Sequence, residues 1–309
     1  MSRQLKWLNR LSRLAVKPFL RRMSGPKWAR IQLDWGARLL FHPPPQTVAV
    51  WKETGGVPCL FVTNRAKTHS PRPGAVMLYI HGGGYVAGSP KTHKHLLARL
   101  ARLTQLEVCA PDYRKAPEHP FPAAFEDTLA AYKGLFVHGY RPENIVIGGD
   151  SAGGGLALAL LAHLNTQGVV PKAVFAFSPF TDATFSGASL VRNTDLDPML
   201  PPERQDLITD WYLAGNPPAD PRVSPIFAPW TSPLPPVFLQ ASEHEILTDD
   251  SVRMAEVLRA AGGHVTLDIW PDVPHVWVFF TRVLPEAKEA LGRVAKFVND
   301  QFVEPIDKR

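Results

Sequence analysis

Nine residues near the middle of the chain, Ile147-Gly148-Gly149-Asp150-Ser151-Ala152-Gly153-Gly154-Gly155, restrict the fold more than any other stretch. They join segments of opposite character. Before them, Asn144-Ile145-Val146-Ile147 is apolar and β-branched, which suits a buried strand. After them, Leu156 to Ala162 is a run of strong helix formers. A strand that passes directly into a helix needs a turn with no room for side chains at its flanks, and glycine fits there. The serine at its centre, in Gly149-Asp150-Ser151-Ala152-Gly153, has the form of a nucleophile elbow. Such a turn lifts the Ser151 hydroxyl clear of the sheet. It also aims the Ala152 N–H, at the helix start, toward the place where an anion would form. Taken alone the pattern also describes an ordinary tight turn, so its meaning rests on partners elsewhere in the chain.

The surrounding sequence alternates in the same way. Strand-like runs at 47–51, 59–63, 75–80, 106–110, 144–147, 173–177, 237–240 and 265–270 are separated by helical patterns at 92–103, 123–137, 156–162, 249–261 and 285–299. This predicts an α/β fold: a mostly parallel sheet of about eight strands covered by helices on both faces. The alternation lapses from about Ser178 to Trp230, where Pro, Asp and Thr accumulate around one helical stretch near 202–213. That reads as an insertion across the C-terminal edge of the sheet. The expected division is an N-terminal segment over 1–45, a core over 46–179 and 231–309, and a helical cap over 180–230.

Hydrophobic residues make up 45% of the 309 and charged residues 20%, the balance of a well-buried globular protein. Cys59 and Cys109 both lie in strand-like runs with no metal-ligand spacing, which predicts buried free thiols. The net charge of +6 is concentrated: residues 1–33 hold nine Lys/Arg and no acid, leaving 25 basic against 28 acidic residues elsewhere. A nucleic-acid surface therefore does not account for the charge. Within that segment Leu5, Leu8, Leu11, Ala15 and Phe19 recur at helical spacing among basic residues, predicting an amphipathic helix. Three uses stay open for it: part of a lid, a peripheral contact with anionic lipid, or a transit segment. Basic residues interrupt any secretory apolar core, and no run approaches the ~18–20 residues of a spanning helix. The expected location is cytoplasmic, with membrane association open, as is a homodimer.

In parallel sheets the functional loops follow the strands' C-terminal ends. After Ile80 comes His81-Gly82-Gly83-Gly84, whose bare backbone can turn successive N–H groups toward one cavity, as an oxyanion hole requires. After Gln240 come Glu243, Glu245, Asp249 and Asp250, any of which could supply the acid in the chain order Ser, acid, His. Asp249 and Asp250 also suit the solvated first turn of a helix. After Trp270, in Pro271-Asp272-Val273-Pro274-His275, His275 stands where a triad base belongs. His93 and His95 near a helix start make a weak metal pattern with no carboxylate or cysteine close in sequence.

These motifs, with Tyr113-Arg114-Lys115-Ala116-Pro117-Glu118, Phe121-Pro122 and Asp127 between them, resemble in order those of the hormone-sensitive-lipase family of α/β-hydrolase esterases. The likeness runs over about 72–300. It implies Ser151 as nucleophile, His275 as base, and the N–H groups of Gly83, Gly84 and Ala152 as oxyanion donors, with Gly82 as a further candidate; His81 and Asp150 belong to the motifs. The family's usual acid stands in Asp-Pro-Leu-x-Asp. Here Glu245-Ile246-Leu247-Thr248-Asp249 occupies that stretch, so the resemblance implies Glu245. The implied activity is hydrolysis of a small ester with no metal or cofactor, and the Phe- and Trp-containing cap adds an expectation of short to medium acyl chains. A peptidase or amidase, or a non-catalytic ligand receptor, on the same fold are the alternatives.

Overall fold

The computed structural model describes residues 1–22, 25–65 and 72–303, and the side chains within them except those of 205–208. Eight strands form one sheet: β1 (Thr47–Thr54), β2 (Val57–Asn64), β3 (Val76–Ile80), β4 (Glu107–Pro111), β5 (Ile145–Asp150), β6 (Ala173–Phe177), β7 (Val237–Ser242) and β8 (Val265–Trp270). Their order is β1-β2-β4-β3-β5-β6-β7-β8; β1, β2 and β4 pair antiparallel and all other pairs are parallel. Every residue of β3, β5 and β6 is buried. That burial explains their unbroken apolar sequences, because a central parallel strand has helices on both sides.

Successive side chains of a strand point to opposite faces, so one strand feeds two cores. Val76, Leu78 and Ile80 of β3 join one cluster, and Met77 and Tyr79 join the other. The first core is closed by α5 (Ala123–Val137), α6 (Ala152–Thr166) and α9 (Thr248–Ala260), through residues such as Phe125, Leu156 and Met254. The second is closed by α4 (Pro90–Thr104) and α10 (Pro285–Asp300), through Leu96, Leu97, Leu291 and Val294. The fold is that of the α/β-hydrolases. Cys59 and Cys109 are buried and free.

The N-terminal segment departs from a single amphipathic helix. It comprises α1 (Arg3–Leu11), a π-helical turn at Ser12–Val16, α2 (Lys17–Arg22) and α3 (Pro26–Leu40). Leu5 and Leu8 are buried in the second core, as the periodicity predicts, but Leu11, Ala15 and Phe19 are exposed and Ser12 is buried in their place. The π turn holds more residues per turn than an α-helix and so rotates the later side chains off the packed face. Polar contacts fix the segment: Ser2 N–H donates to Glu286 at 2.7 Å, and Asn9 donates to the Asp272 carbonyl at 2.5 Å. The insertion holds two helices where one is expected, α7 (Ser189–Arg192) and α8 (Gln205–Leu213). No helix among the described residues is long and apolar enough to cross a membrane.

Candidate active site

Ser151 stands between β5 and α6 with φ 54° and ψ −125°, a backbone conformation that L-residues seldom adopt. Surrounding backbone holds it there. Ser151 N–H donates to the Phe177 carbonyl at 2.8 Å, and its own carbonyl accepts from Phe180 and Gly155, both at 3.0 Å. The elbow glycines are required by contact: a Cβ on Gly153 would strike the carbonyl oxygens of Ile80 and His81, and one on Gly149 would strike the Gly153 carbonyl. The elbow thus sits directly against the His81 loop.

His275 reaches the serine from the loop after β8. Its Nε2 lies 2.9 Å from Ser151 Oγ, and its Nδ1 lies 2.5 Å from Glu245 Oε2. Glu245 is wholly buried, and its other oxygen accepts the Ser242 N–H at 2.9 Å. With the Nδ1 proton on the carboxylate side, Nε2 is left to accept the serine hydroxyl. Burial opposes a charge on His275, but the hydrogen bond and negative charge of Glu245 outweigh it and raise the imidazole pKa above its ordinary value. The histidine loop is pinned by Ser242, whose hydroxyl donates to the Val273 carbonyl at 2.5 Å, and by Ser178, whose hydroxyl accepts the Val276 N–H at 3.3 Å.

The other acids after β7 serve different contacts. Glu243 is exposed. Asp249 accepts the Ser189 N–H at 2.9 Å and pairs with Arg192. Asp250 accepts the N–H groups of Thr181 and Asp182 at 2.6 and 3.0 Å. Neither is a simple solvated helix-start acid. Asp250 is buried, and burial chiefly, with Asp182 adding repulsion, pushes its carboxyl up to about 7.

In the glycine loop Gly83 and Gly84 take φ of 120° and 60°, and a Cβ on Gly83 would strike the Ala87 carbonyl. Among the described residues no protein acceptor takes the N–H of Gly83, Gly84 or Ala152. Gly82 differs: its N–H donates to Asp150 Oδ1 at 3.1 Å, so it is not free to join them. Asp150 is buried and anchors the loop; it also accepts the Tyr79 hydroxyl at 2.8 Å and lies 3.2 Å from His93 Nε2. His81 is buried and stacked on Tyr113, whose hydroxyl donates to the His81 carbonyl at 2.9 Å. Burial, helped by the positive charge of Lys115, drives its pKa well down, so a neutral ring donates to the Gly82 carbonyl at 2.8 Å. His81 and Asp150 therefore shape the loop from behind. His95 turns instead to the Phe279 carbonyl, so His93 and His95 do not converge as metal ligands.

The sequence alone did not disclose the residues that seat the loop of Glu245. Asp197, in the insertion, is fully buried and accepts the N–H groups of Met199, Leu200 and Ile246 at 2.7, 2.9 and 2.9 Å. Asn193 donates to the carbonyls of Glu243 and Glu245 at 2.9 and 2.8 Å. Their only local signal is the turn-like Asn193-Thr194-Asp195-Leu196-Asp197-Pro198, which says nothing of a loop some fifty residues on. Arg30 of α3 was also missed. It donates to the Val86 and Ala116 carbonyls and pairs bidentately with Glu118 at 3.0 and 2.6 Å, holding that carboxyl down at about 2.

A serine hydroxyl against an imidazole, beside unpartnered N–H groups on this fold, is an arrangement able to carry out hydrolase chemistry. A family model described as alpha/beta hydrolase fold matches residues 77–279. An acetyl-hydrolase from Streptomyces hygroscopicus is 38% identical over 226 residues, 73% of this chain and 75% of that protein. An esterase from Acinetobacter venetianus is 38% identical over 224 residues, 72% and 74% of the two chains. The crystal structure of an esterase from the bacterial hormone-sensitive lipase family superposes with a TM-score of 0.90 at 35% identity, covering 98% of this chain and 99% of that one. The chain belongs to the α/β-hydrolase fold family, within its hormone-sensitive-lipase branch.

Proposed function

We propose that the chain is a serine carboxylesterase that hydrolyses small-molecule esters of short to medium acyl chain through an acyl-enzyme. The observation that carries this reading is the relay from Ser151 Oγ to His275 Nε2 at 2.9 Å and from His275 Nδ1 to Glu245 at 2.5 Å. In this reading Ser151 attacks the ester carbonyl while His275 takes its proton, and Glu245 holds the imidazole and stabilises its charged form. The tetrahedral oxyanion accepts from the N–H groups of Gly83, Gly84 and Ala152, which need no rearrangement as charge develops. His275 returns the proton to the leaving alkoxide, and water releases the acid by the same route.

The substrate range is argued from packing. Tyr85, the residue after Gly84, stacks on Tyr212 of α8 with centroids 3.8 Å apart, and Phe180 packs edge-on to Tyr85. Aromatic bulk so close to the glycine loop favours compact acyl groups. In the same reading residues 1–45 and 180–230 form a cap over the core of 46–179 and 231–309. The test has two parts. Labelling by a fluorophosphonate should be abolished by Ser151→Ala, and p-nitrophenyl acetate and butyrate should be cleaved much faster than the dodecanoate. Turnover of the matching anilides at the rate of the esters would instead make the chain an amidase.

A further inference from the structure

In α3 the residues turned toward the body are Ala29, Arg30 and Ala37; Ala29 and Ala37 are buried, and Arg30 grips the Val86 and Ala116 carbonyls. Trp28, Ile31, Trp35 and Leu39 follow at i, i+3, i+7 and i+11, so they share one stripe, and it faces away from the packed side. Trp28 is 58%, Trp35 60% and Leu39 71% exposed. A helix placed by the hydrophobic effect turns its large apolar side chains inward. This one does the reverse. α1 does something similar: Leu5 and Leu8 are buried while Trp7, on its other side, is 65% exposed.

The charge around these side chains is strongly positive: residues 1–40 hold ten Lys/Arg against one acid, Asp34 of α3. Residues 1–33 contain no acid, and among the described residues Arg3, Lys6, Arg10, Arg22, Lys27 and Arg38 form no ion pair. We propose that α1 and α3 dock on the surface of an anionic lipid bilayer, with the tryptophan stripes in the headgroup region and the free cations on lipid phosphates. Tryptophan with basic neighbours suits that depth of a membrane. A second copy of the chain would bring the same positive surface against itself, which like charges oppose. The contact is peripheral, and it does not depend on what the active site hydrolyses.

The full chain should co-sediment with vesicles of phosphatidylcholine mixed with phosphatidylglycerol, lose this binding in high salt, and bind pure phosphatidylcholine far more weakly. Lys6→Gln, Arg10→Gln and Lys27→Gln together should weaken binding about a hundredfold. Trp28→Ser with Trp35→Ser should weaken it at least about tenfold, with thermal melts showing both variants folded. Quenching of tryptophan emission by brominated phospholipid reads the same contact in the unaltered chain. Absence of binding and of quenching overturns the proposal, as does equal binding to neutral and anionic vesicles. A dimer in sedimentation velocity that Trp28→Ser with Trp35→Ser abolishes would overturn it too, and make the stripe a self-association face.

Discussion

Replacing Glu245 by glutamine tests the proposed relay at the member where this sequence carries glutamate in place of the usual aspartate. Both carboxylate oxygens are occupied as acceptors, one by His275 Nδ1 at 2.5 Å and one by the Ser242 N–H at 2.9 Å. Glutamine keeps one acceptor and turns the other into a donor, so one contact must fail whichever way the amide lies. With the amide NH2 toward His275, the ring has to present a lone pair at Nδ1 and a proton at Nε2. That tautomer cannot take the Ser151 proton, and the loss is about 10⁴ in kcat, or ~5.5 kcal/mol of barrier. With the NH2 toward Ser242, two buried donors face each other, at ~1–3 kcal/mol of stability, and the loop that carries the acid shifts. Asp249→Asn removes the charge from a half-exposed pair with Arg192 and keeps one acceptor for the outer contact to Ser189, and should change kcat by less than about tenfold. Steady-state hydrolysis of p-nitrophenyl butyrate, with active sites counted by fluorophosphonate, measures each variant. Glu245→Gln within tenfold of the parent, beside a thousandfold loss in Asp249→Asn or Asp250→Asn, would refute the assignment.

Ser151→Ala should lower kcat by about 10⁶ with the thermal melt little changed; retained turnover would exclude it as nucleophile. Because Glu245 raises the His275 pKa, and the base must be neutral to act, activity should fall as pH drops through a value above the usual ~6.5 of an imidazole. A kcat/KM plateau extending down to about pH 5.5 would contradict this. Leu5→Ala should cost ~2–5 kcal/mol in denaturant unfolding, since Leu5 is 1% exposed and packed in the second core. An unchanged midpoint would mean that α1 adds nothing to the folded body.

The parts of this architecture that were legible share a local cause. Central strands such as 76–80 and 173–177 announce themselves because burial on both faces leaves no polar position in them. The meeting of Ser151 and His275 was legible because the elbow demands glycines and because His275 follows the last strand. What stayed hidden depends on distant partners. Nothing near Gly82 discloses that its N–H is taken by an aspartate 68 residues away. Nothing near Asp197 points to the Ile246 N–H. Leu11 was misjudged because at i+6 from Leu5 it falls off the face that Ser12, at i+7, continues; Ala15 and Phe19 were misjudged because the π turn at Ser12–Val16 changes the phase of an otherwise α-helical run.

The contacts of Ser189, Asn193 and Asp197 with the loop around Glu245 restrict how the molecule can breathe. A covering flap that swung away whole would pull out the struts beneath the carboxylate and leave the imidazole without its guide. Lys17 and Arg13 add to the constraint by gripping the carbonyls of Thr194 to Asp197. Any opening above Ser151 that spares these contacts must leave the 189–197 wall in place.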